Sequence, residues 1–238
     1  MSTIFIAEMM GTMFLILLGN GVVANILLKK TGGNGGGIIS ITAAWGFAVF
    51  AGGLVAVNLG SAGELNPATV IAGWINGAYT TSQLLPYIGG ELTGAMLGAF
   101  LVWLLYKDHF DETSAEPHSQ LACFSTSPSI KNTPLNFFSE VLGTFVLLYV
   151  AMSFQGSAVN LGSTGRWPIT TLIWAIGLSL GGTTGYAINP ARDLGPRIMH
   201  AILPIKGKSS SNWSYAWIPI IGPVIGALIS ILIFNLLH

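Results

Sequence analysis

The sequence alternates long apolar runs with short polar, charged or glycine-rich stretches. A helix needs about 20 consecutive apolar residues to cross the hydrocarbon core of a bilayer. Six runs are near that length, and they cover residues 4–28, 38–59, 84–106, 136–155, 168–184 and 215–236. The pattern predicts six membrane-spanning helices. We interpret the first run as a retained helix, because it is too long for a signal peptide and no basic residues precede it.

Two further apolar segments are too short to span a bilayer. They cover residues 66–78 and 189–202, and each begins with Asn-Pro-Ala. Each lies between the second and third long run of its half of the chain. Short segments interrupted by proline at matching places in two halves indicate re-entrant half-helices and a binding site near the bilayer midplane.

The two halves of the sequence can be aligned with one another. Residues 5–12 match residues 137–144, and the paired positions include Trp45 with Trp174, Asn66 with Asn189, and Gly90 with Gly222. Each half has an odd number of spans, so the second half must enter the membrane from the opposite side. The alignment predicts an inverted repeat within one domain, 1–238. We expect repeat one at about 1–106, repeat two at about 136–238, and a connecting loop at 107–135.

Composition agrees with lipid as the main solvent of the chain. Of the 238 residues, 52% are hydrophobic and only 8% are charged, with a net charge of zero. A soluble domain has about a quarter of its residues charged. The few basic residues are scattered, which argues against a nucleic-acid partner. Cys123 is the single cysteine and is expected to be an ordinary loop thiol. No metal-ligand spacing is present, and we expect neither a metal nor a cofactor.

The Asn-Pro-Ala motifs have a direct physical reading. Proline suits the first position of a helix, and asparagine before it is a good N-cap. Two half-helices that start there would meet by their N-termini, each with about half a positive charge. Such a junction repels cations, protons included, while the side-chain amides of Asn66 and Asn189 can donate hydrogen bonds to a neutral solute.

Three charged residues within apolar segments are further candidates. Arg192 follows Asn189 by three residues on the same helix face, and an ionised arginine at membrane depth is a functional candidate by default. Glu8 and Glu140 occupy equivalent positions in the two halves. They could form a proton relay. Their symmetric placement favours a structural role, as acceptors for backbone N–H groups of the neighbouring non-helical loops.

The segments Gly63 to Ala68 and Gly185 to Asp193 resemble the paired signature motifs of the aquaporin superfamily. The resemblance covers nearly the whole chain and implies an all-α membrane protein, an aquaporin-like bundle of six transmembrane helices and two re-entrant half-helices. Within the superfamily, the sequence is similar to the glycerol-facilitator (aquaglyceroporin) branch. Four positions match that branch: Asp193, Arg197, Pro219 and Ile220.

The resemblance also implies a selectivity filter. It maps to Trp45, Gly177, Tyr186 and Arg192, with Trp45 and Tyr186 as an apolar corner facing Arg192 and with Gly177 leaving open space. The implied backbone acceptors for solute are Ala62, Gly63, Glu64, Gly185, Tyr186 and Ala187. The implied supports of the re-entrant loops are Glu8, Glu140, Pro67, Pro190 and Asp193. Two positions depart from the pattern, Tyr186 where phenylalanine is common and Glu64 where many relatives have histidine. We expect Glu64 to bond loop amides.

These observations predict a passive channel for small neutral solutes, namely glycerol, water and undissociated lactic acid, which excludes ions and protons. The alternative is a proton-coupled secondary transporter of a small organic acid that uses Glu8, Glu64, Glu91 or Glu140. A membrane enzyme is disfavoured because no nucleophile–base pairing appears around His109, Asp111 or His118.

Family packing implies a homotetramer in the plasma membrane with both termini cytoplasmic. The distribution of basic residues favours the opposite orientation, since Lys29, Lys30, Lys107, Lys131, Lys206 and Lys208 lie on one side.

Overall fold

The computed structural model describes residues 2–154 and 165–238. These residues form helices joined by turns and loops, without a β-strand in either described range. The helices are α1 (Thr3–Leu27), α2 (Gly37–Asn58), α3 (Pro67–Ile75), α4 (Thr81–Leu105), α5 (Lys107–Glu112), α6 (Pro117–Ala122), α7 (Thr133–Ser153), α8 (Trp167–Leu180), α9 (Pro190–Ile202) and α10 (Ile218–Leu237). The predicted all-α membrane fold is confirmed.

Five of these helices, α1, α2, α4, α7 and α10, are long and apolar enough to cross a membrane. The remaining predicted span, the fifth in chain order, is shorter than expected. Its sequence run extends over 168–184, but α8 ends at Leu180 after 14 residues, about 21 Å at the rise of an α-helix. Gly181 and Gly182 follow directly, and glycine is a poor helix former. Residues 181–184 instead form a turn, which the Gly185 N–H closes by donating to the Gly181 carbonyl at 2.9 Å.

The two half-helices begin where the sequence predicts. The side-chain oxygen of Asn66 accepts from the Ala68 N–H at 3.0 Å, so that Pro67 is the first residue of α3. Asn189 caps α9 in the same way, accepting from Ala191 at 3.0 Å and from Arg192 at 3.2 Å. Both short helices are therefore started by local chemistry that the sequence contains in full.

Close packing of small residues joins the helices of each repeat. A Cβ atom on Gly94 of α4 would lie 2.1 Å from the Met9 carbonyl oxygen of α1. In the second repeat, a Cβ atom on Gly226 of α10 would lie 2.2 Å from the Val141 carbonyl oxygen of α7. Glycine allows the backbones to approach this closely, as is common between membrane helices. The equivalent crossings agree with the predicted inverted repeat.

The connecting segment 107–135 is more structured than the predicted loop. It contains α5 and α6, and Gln120 donates from its side-chain amide to the carbonyls of Phe110 and Lys206, at 2.9 Å each. Cys123 is fully buried, and burial raises the pKa of its thiol. Cys123 lies in the turn that follows α6, as expected of a loop thiol, but it is not exposed to solvent, because this turn packs into the core of the bundle.

Candidate functional site

The N-termini of α3 and α9 meet through a pair of reciprocal hydrogen bonds. The Asn66 side-chain amide donates to the Ile188 carbonyl at 2.9 Å, and the Asn189 amide donates to the Leu65 carbonyl at 2.6 Å. Leu65 and Ile188 both have positive φ, 55° and 44°, a conformation that side chains rarely adopt. The two loops are thus built alike, and each asparagine links its own helix to the opposite loop.

In the first repeat, a buried carboxylate holds the loop that precedes the junction. Both oxygens of Glu8 are used: one accepts from the N–H groups of Gly63 at 3.0 Å and Glu64 at 3.2 Å, and the other from Leu65 at 2.9 Å. The Ser61 hydroxyl also donates to Glu8, at 2.6 Å. These contacts satisfy loop amides that have no helical partner at membrane depth.

Glu140 makes the equivalent contacts in the second repeat. It accepts from the N–H groups of Ala187 at 3.1 Å and Ile188 at 2.8 Å, and from the Thr184 hydroxyl at 2.7 Å. Both carboxylates therefore have the contacts expected of structural acceptors. Nothing in the contacts of the described residues favours the alternative of a proton relay.

Glu91 is a third buried acceptor, and its structural role was not expected from the sequence. Its carboxylate accepts from the Asn66 backbone N–H at 2.8 Å. The alignment of the two halves of the sequence gives no indication of this contact, because Pro223 occupies the equivalent position in the second repeat. The signal available in the sequence was an acid inside the apolar run 84–106.

A cavity of about 520 Å³ runs past the junction. At one end, called here the Arg192 end, it is lined by Trp45, Tyr186 and Arg192; at the other, the Arg166 end, by Phe154, Arg166 and Pro168. Asn66 and Asn189 also line it. Of the other predicted solute contacts, Ala62, Gly63, Glu64 and Ala187 also line it, whereas Gly177 and Gly185 do not.

The Arg192 end differs from the predicted filter beside Gly177. The Arg192 guanidinium lies 4.2 Å from the centre of the Trp45 ring, so Trp45 faces Arg192 in direct stacking contact. The space expected beside Gly177 is filled by the Tyr186 ring, whose Cζ would lie 2.9 Å from a Cβ atom at Gly177. Tertiary packing decides both contacts, since the partners come from different helices and loops.

A family model for the major intrinsic proteins matches residues 1–234. The chain belongs to the major intrinsic protein family. It is 52% identical over 229 residues to a "Glycerol uptake facilitator protein" of Streptococcus pneumoniae, covering 96% of this chain and 97% of that protein. It is 46% identical over 235 residues to a "Probable glycerol uptake facilitator protein" of Thermotoga maritima, covering 98% of each. The X-ray structure of the aquaglyceroporin from Plasmodium falciparum superimposes with a TM-score of 0.86 at 29% identity, covering 98% of this chain and 95% of that one.

Major intrinsic proteins of this kind are multi-pass membrane channels and not enzymes, so the chain is a channel protein. Within its described residues, no group of three or more His, Cys, Asp or Glu side chains is placed to hold a metal ion. The features that matter for this channel are therefore the cavity and the residues that hold its walls.

In this major intrinsic protein, Asp193 anchors the connecting segment to α9. It accepts from the Thr126 N–H at 2.8 Å and the Thr126 hydroxyl at 2.6 Å, and it forms an ion pair with Arg197 at 2.7 Å. Arg197 also donates to the Thr126 carbonyl at 2.9 Å and to the Ser211 carbonyl at 2.7 Å. The pair is fully buried, and these contacts occupy much of its hydrogen-bonding capacity.

Glu64 does not bond loop amides as expected. Its carboxylate accepts from the hydroxyl of Tyr79, a residue beyond the C-terminus of α3. The backbone carbonyl of Ala62, predicted as a solute contact, accepts instead from the Arg166 guanidinium. Both differences arise at the Arg166 end, where side chains distant in sequence converge.

Proposed function

We propose that this channel conducts glycerol and other small neutral solutes passively, together with water, and excludes ions and protons. The observation that carries the proposal is the junction of two half-helix N-termini beside a cavity lined by both asparagines. The glycerol named in the descriptions of its relatives supports glycerol as the solute. No contact of the described residues favours proton-coupled transport.

The junction supplies a physical basis for selectivity. Each asparagine amide has two N–H bonds and uses one of them in the reciprocal link, which leaves one on each side to donate to a passing hydroxyl. The half-helices add partial positive charge at the same level. A neutral solute can exchange its water contacts for these donors, whereas a cation meets repulsion in a region of low dielectric constant.

The Arg192 end adds a second barrier. Arg192 is 8% exposed and lines the cavity, so its guanidinium offers donors to solute oxygens and repels cations. Because Trp45 stacks on that guanidinium, we propose that solutes pass beside the stacked pair. The buried indole then presents apolar surface to the carbon chain of a polyol, while the hydroxyl groups of the polyol contact the arginine.

Stopped-flow light scattering with proteoliposomes tests this function. We expect glycerol permeability well above that of protein-free liposomes. The glycerol flux should not saturate with glycerol concentration and should not require a proton gradient. Arg192→Ala is expected to retain solute conduction and to admit cations, measured as dissipation of a potassium gradient. Glycerol flux equal to that of empty liposomes, in protein shown to be folded, would refute the proposed function.

Undissociated lactic acid is a further proposed solute. It is neutral and has the same number of carbon and oxygen atoms as glycerol, so a passage that admits one can admit the other. We expect internal acidification of proteoliposomes on addition of lactic acid to become faster as external pH falls. Rates that match empty liposomes at every pH would remove lactic acid from the solutes of this channel.

We further propose a homotetramer in the plasma membrane with both termini cytoplasmic. The family fold supports this arrangement against the distribution of lysines. Protease accessibility of a C-terminal tag in sealed cells and in inverted vesicles tests the orientation, and mass measurement of the detergent-solubilised protein tests the oligomeric state.

A further inference from the structure

The Arg166 side chain is held in a defined position at the end of the cavity opposite Arg192. It precedes α8, and its side chain lies over two glycines: a Cβ atom on Gly53 would be 2.7 Å from its Cδ, and one on Gly63 would be 2.5 Å from its Nη2. The guanidinium donates to the Ala62 carbonyl and lines the cavity. Any larger residue at position 53 or 63 would collide with this side chain, so the two glycines leave the room that it needs.

Glu64 lines the same end of the cavity, and its carboxylate is held in position by neighbouring tyrosine side chains. Its carboxylate accepts from the Tyr79 hydroxyl, and the Tyr79 ring packs on Tyr87 with 4.8 Å between ring centres. The Tyr87 hydroxyl in turn accepts from the Ala62 N–H at 3.4 Å. These contacts fix the position of the negative charge next to the loop on which Arg166 rests.

The opposite charges of Glu64 and Arg166 do not form a direct ion pair. Among the described ion pairs, none joins Glu64 to Arg166 within 4.0 Å, and each side chain is bound to a neutral partner instead. They therefore border a shared space with hydrogen-bond donors at Arg166 and an acceptor at Glu64. Trp45 and Gly53 are eight residues apart on α2, so this place lies about 12 Å along the helix from the Arg192 end.

A neutral polyol fits this pair of charges better than an ion does. Each hydroxyl of a polyol both donates and accepts, so adjacent hydroxyls can accept from Arg166 and donate to Glu64 at once. An ion of either sign would be attracted by one of the two charges and repelled by the other, so the pair offers it no net attraction. We propose that Glu64 and Arg166 form a second binding subsite for small polyols, which replaces water contacts as the solute enters or leaves the Arg166 end. The inference rests on the proposed glycerol conduction and adds a specificity site to it.

Two variants of nearly unchanged side-chain size test the subsite in proteoliposomes. For Glu64→Gln and for Arg166→Met, we expect the ratio of glycerol to water permeability to fall at least about tenfold, the size of effect that one hydrogen bond to a charged group gives. Arg166→Lys is expected to recover part of the ratio, because it keeps the charge and loses the planar fork. Size-exclusion profiles establish that each variant is folded, and Arg166→Lys alone suffices if the methionine variant does not fold.

Matched controls separate binding from structure. Glu112→Gln removes a carboxylate outside the cavity and is expected to keep the wild-type ratio. Tyr79→Phe removes the hydrogen bond that positions the Glu64 carboxylate without removing its charge, and it is expected to lower the ratio less than Glu64→Gln does. An unchanged ratio in Glu64→Gln and in the Arg166 variants, or glycerol and water falling in equal proportion, would overturn the subsite. If wild-type protein itself fails to conduct glycerol, the proposed function fails first, so the two failures are distinguishable.

Discussion

Replacement of Glu140 by glutamine is the sharpest test of how the second half-helix is held. In the native protein, one carboxylate oxygen accepts from Thr184 and Ala187, and the other from Ile188. Glutamine keeps the shape but replaces one oxygen with an NH₂ group. In either orientation of the new amide, one backbone N–H of the loop faces that NH₂ group and loses its acceptor.

The expected cost follows from that single mismatch. A buried donor left without an acceptor costs about 1–3 kcal/mol, and the NH₂ group opposite it is a second such donor. We therefore expect the free energy of unfolding to fall by about 3 kcal/mol. For a chain of this size, that change lowers Tm by about 6–12 °C. Asn189 would also lose the fixed position of its loop, so glycerol permeability should fall with stability.

The assay is thermal unfolding of the detergent-solubilised protein, followed by intrinsic fluorescence. Glu112→Gln is the matched control, because Glu112 is exposed on α5 and pairs with Lys30 at 2.7 Å. Lys30 holds the pKa of Glu112 below its usual value, so this control also removes a negative charge at neutral pH. Its Tm should be nearly unchanged, since exposed ion pairs contribute little.

An unaltered Tm for Glu140→Gln would refute the structural role of this carboxylate. A proton relay predicts the opposite combination of results. In that case the variant would unfold at the native temperature and lose only the pH dependence of transport.

Two further predictions concern close contacts. Gly177→His should reduce glycerol permeability more than water permeability, because the new side chain displaces the Tyr186 ring into the cavity; equal loss of both would contradict this account. Gly94→Leu should prevent recovery of folded, monodisperse protein, because even the Cβ atom of the leucine would lie 2.1 Å from the Met9 carbonyl oxygen. A variant with normal yield and Tm would show that α1 and α4 cross less closely than described.

Much of the fold could be predicted from the sequence, because it depends on local properties. The length of each apolar run fixes where a helix can span, and five of the six predicted spans appear as long apolar helices. Asn66 and Asn189 cap α3 and α9 through contacts only two or three residues away. The alignment of the halves also paired Gly90 with Gly222, which lie four residues before Gly94 and Gly226 at the two helix crossings.

The candidate site was predicted only in part. Trp45, Tyr186 and Arg192 do line one cavity with both asparagines, as the resemblance implied for the filter. The space beside Gly177 was predicted wrongly. Gly177 was expected to leave open space, yet the space is taken by Tyr186, because α8 stops at Leu180 and the following turn brings that ring back against the helix.

The sequence by itself determined a membrane bundle with two half-helices that start at their asparagines, since hydropathy and helix capping act over a few neighbouring residues. Only the tertiary structure decided that Arg192 stacks on Trp45 and that Glu64 bonds Tyr79. It also decided that Arg166 reaches Ala62 over two glycines. These contacts join residues 15 to 147 positions apart. Such pairings depend on how loops and helices pack in space, and side-chain spacing along the chain does not encode them.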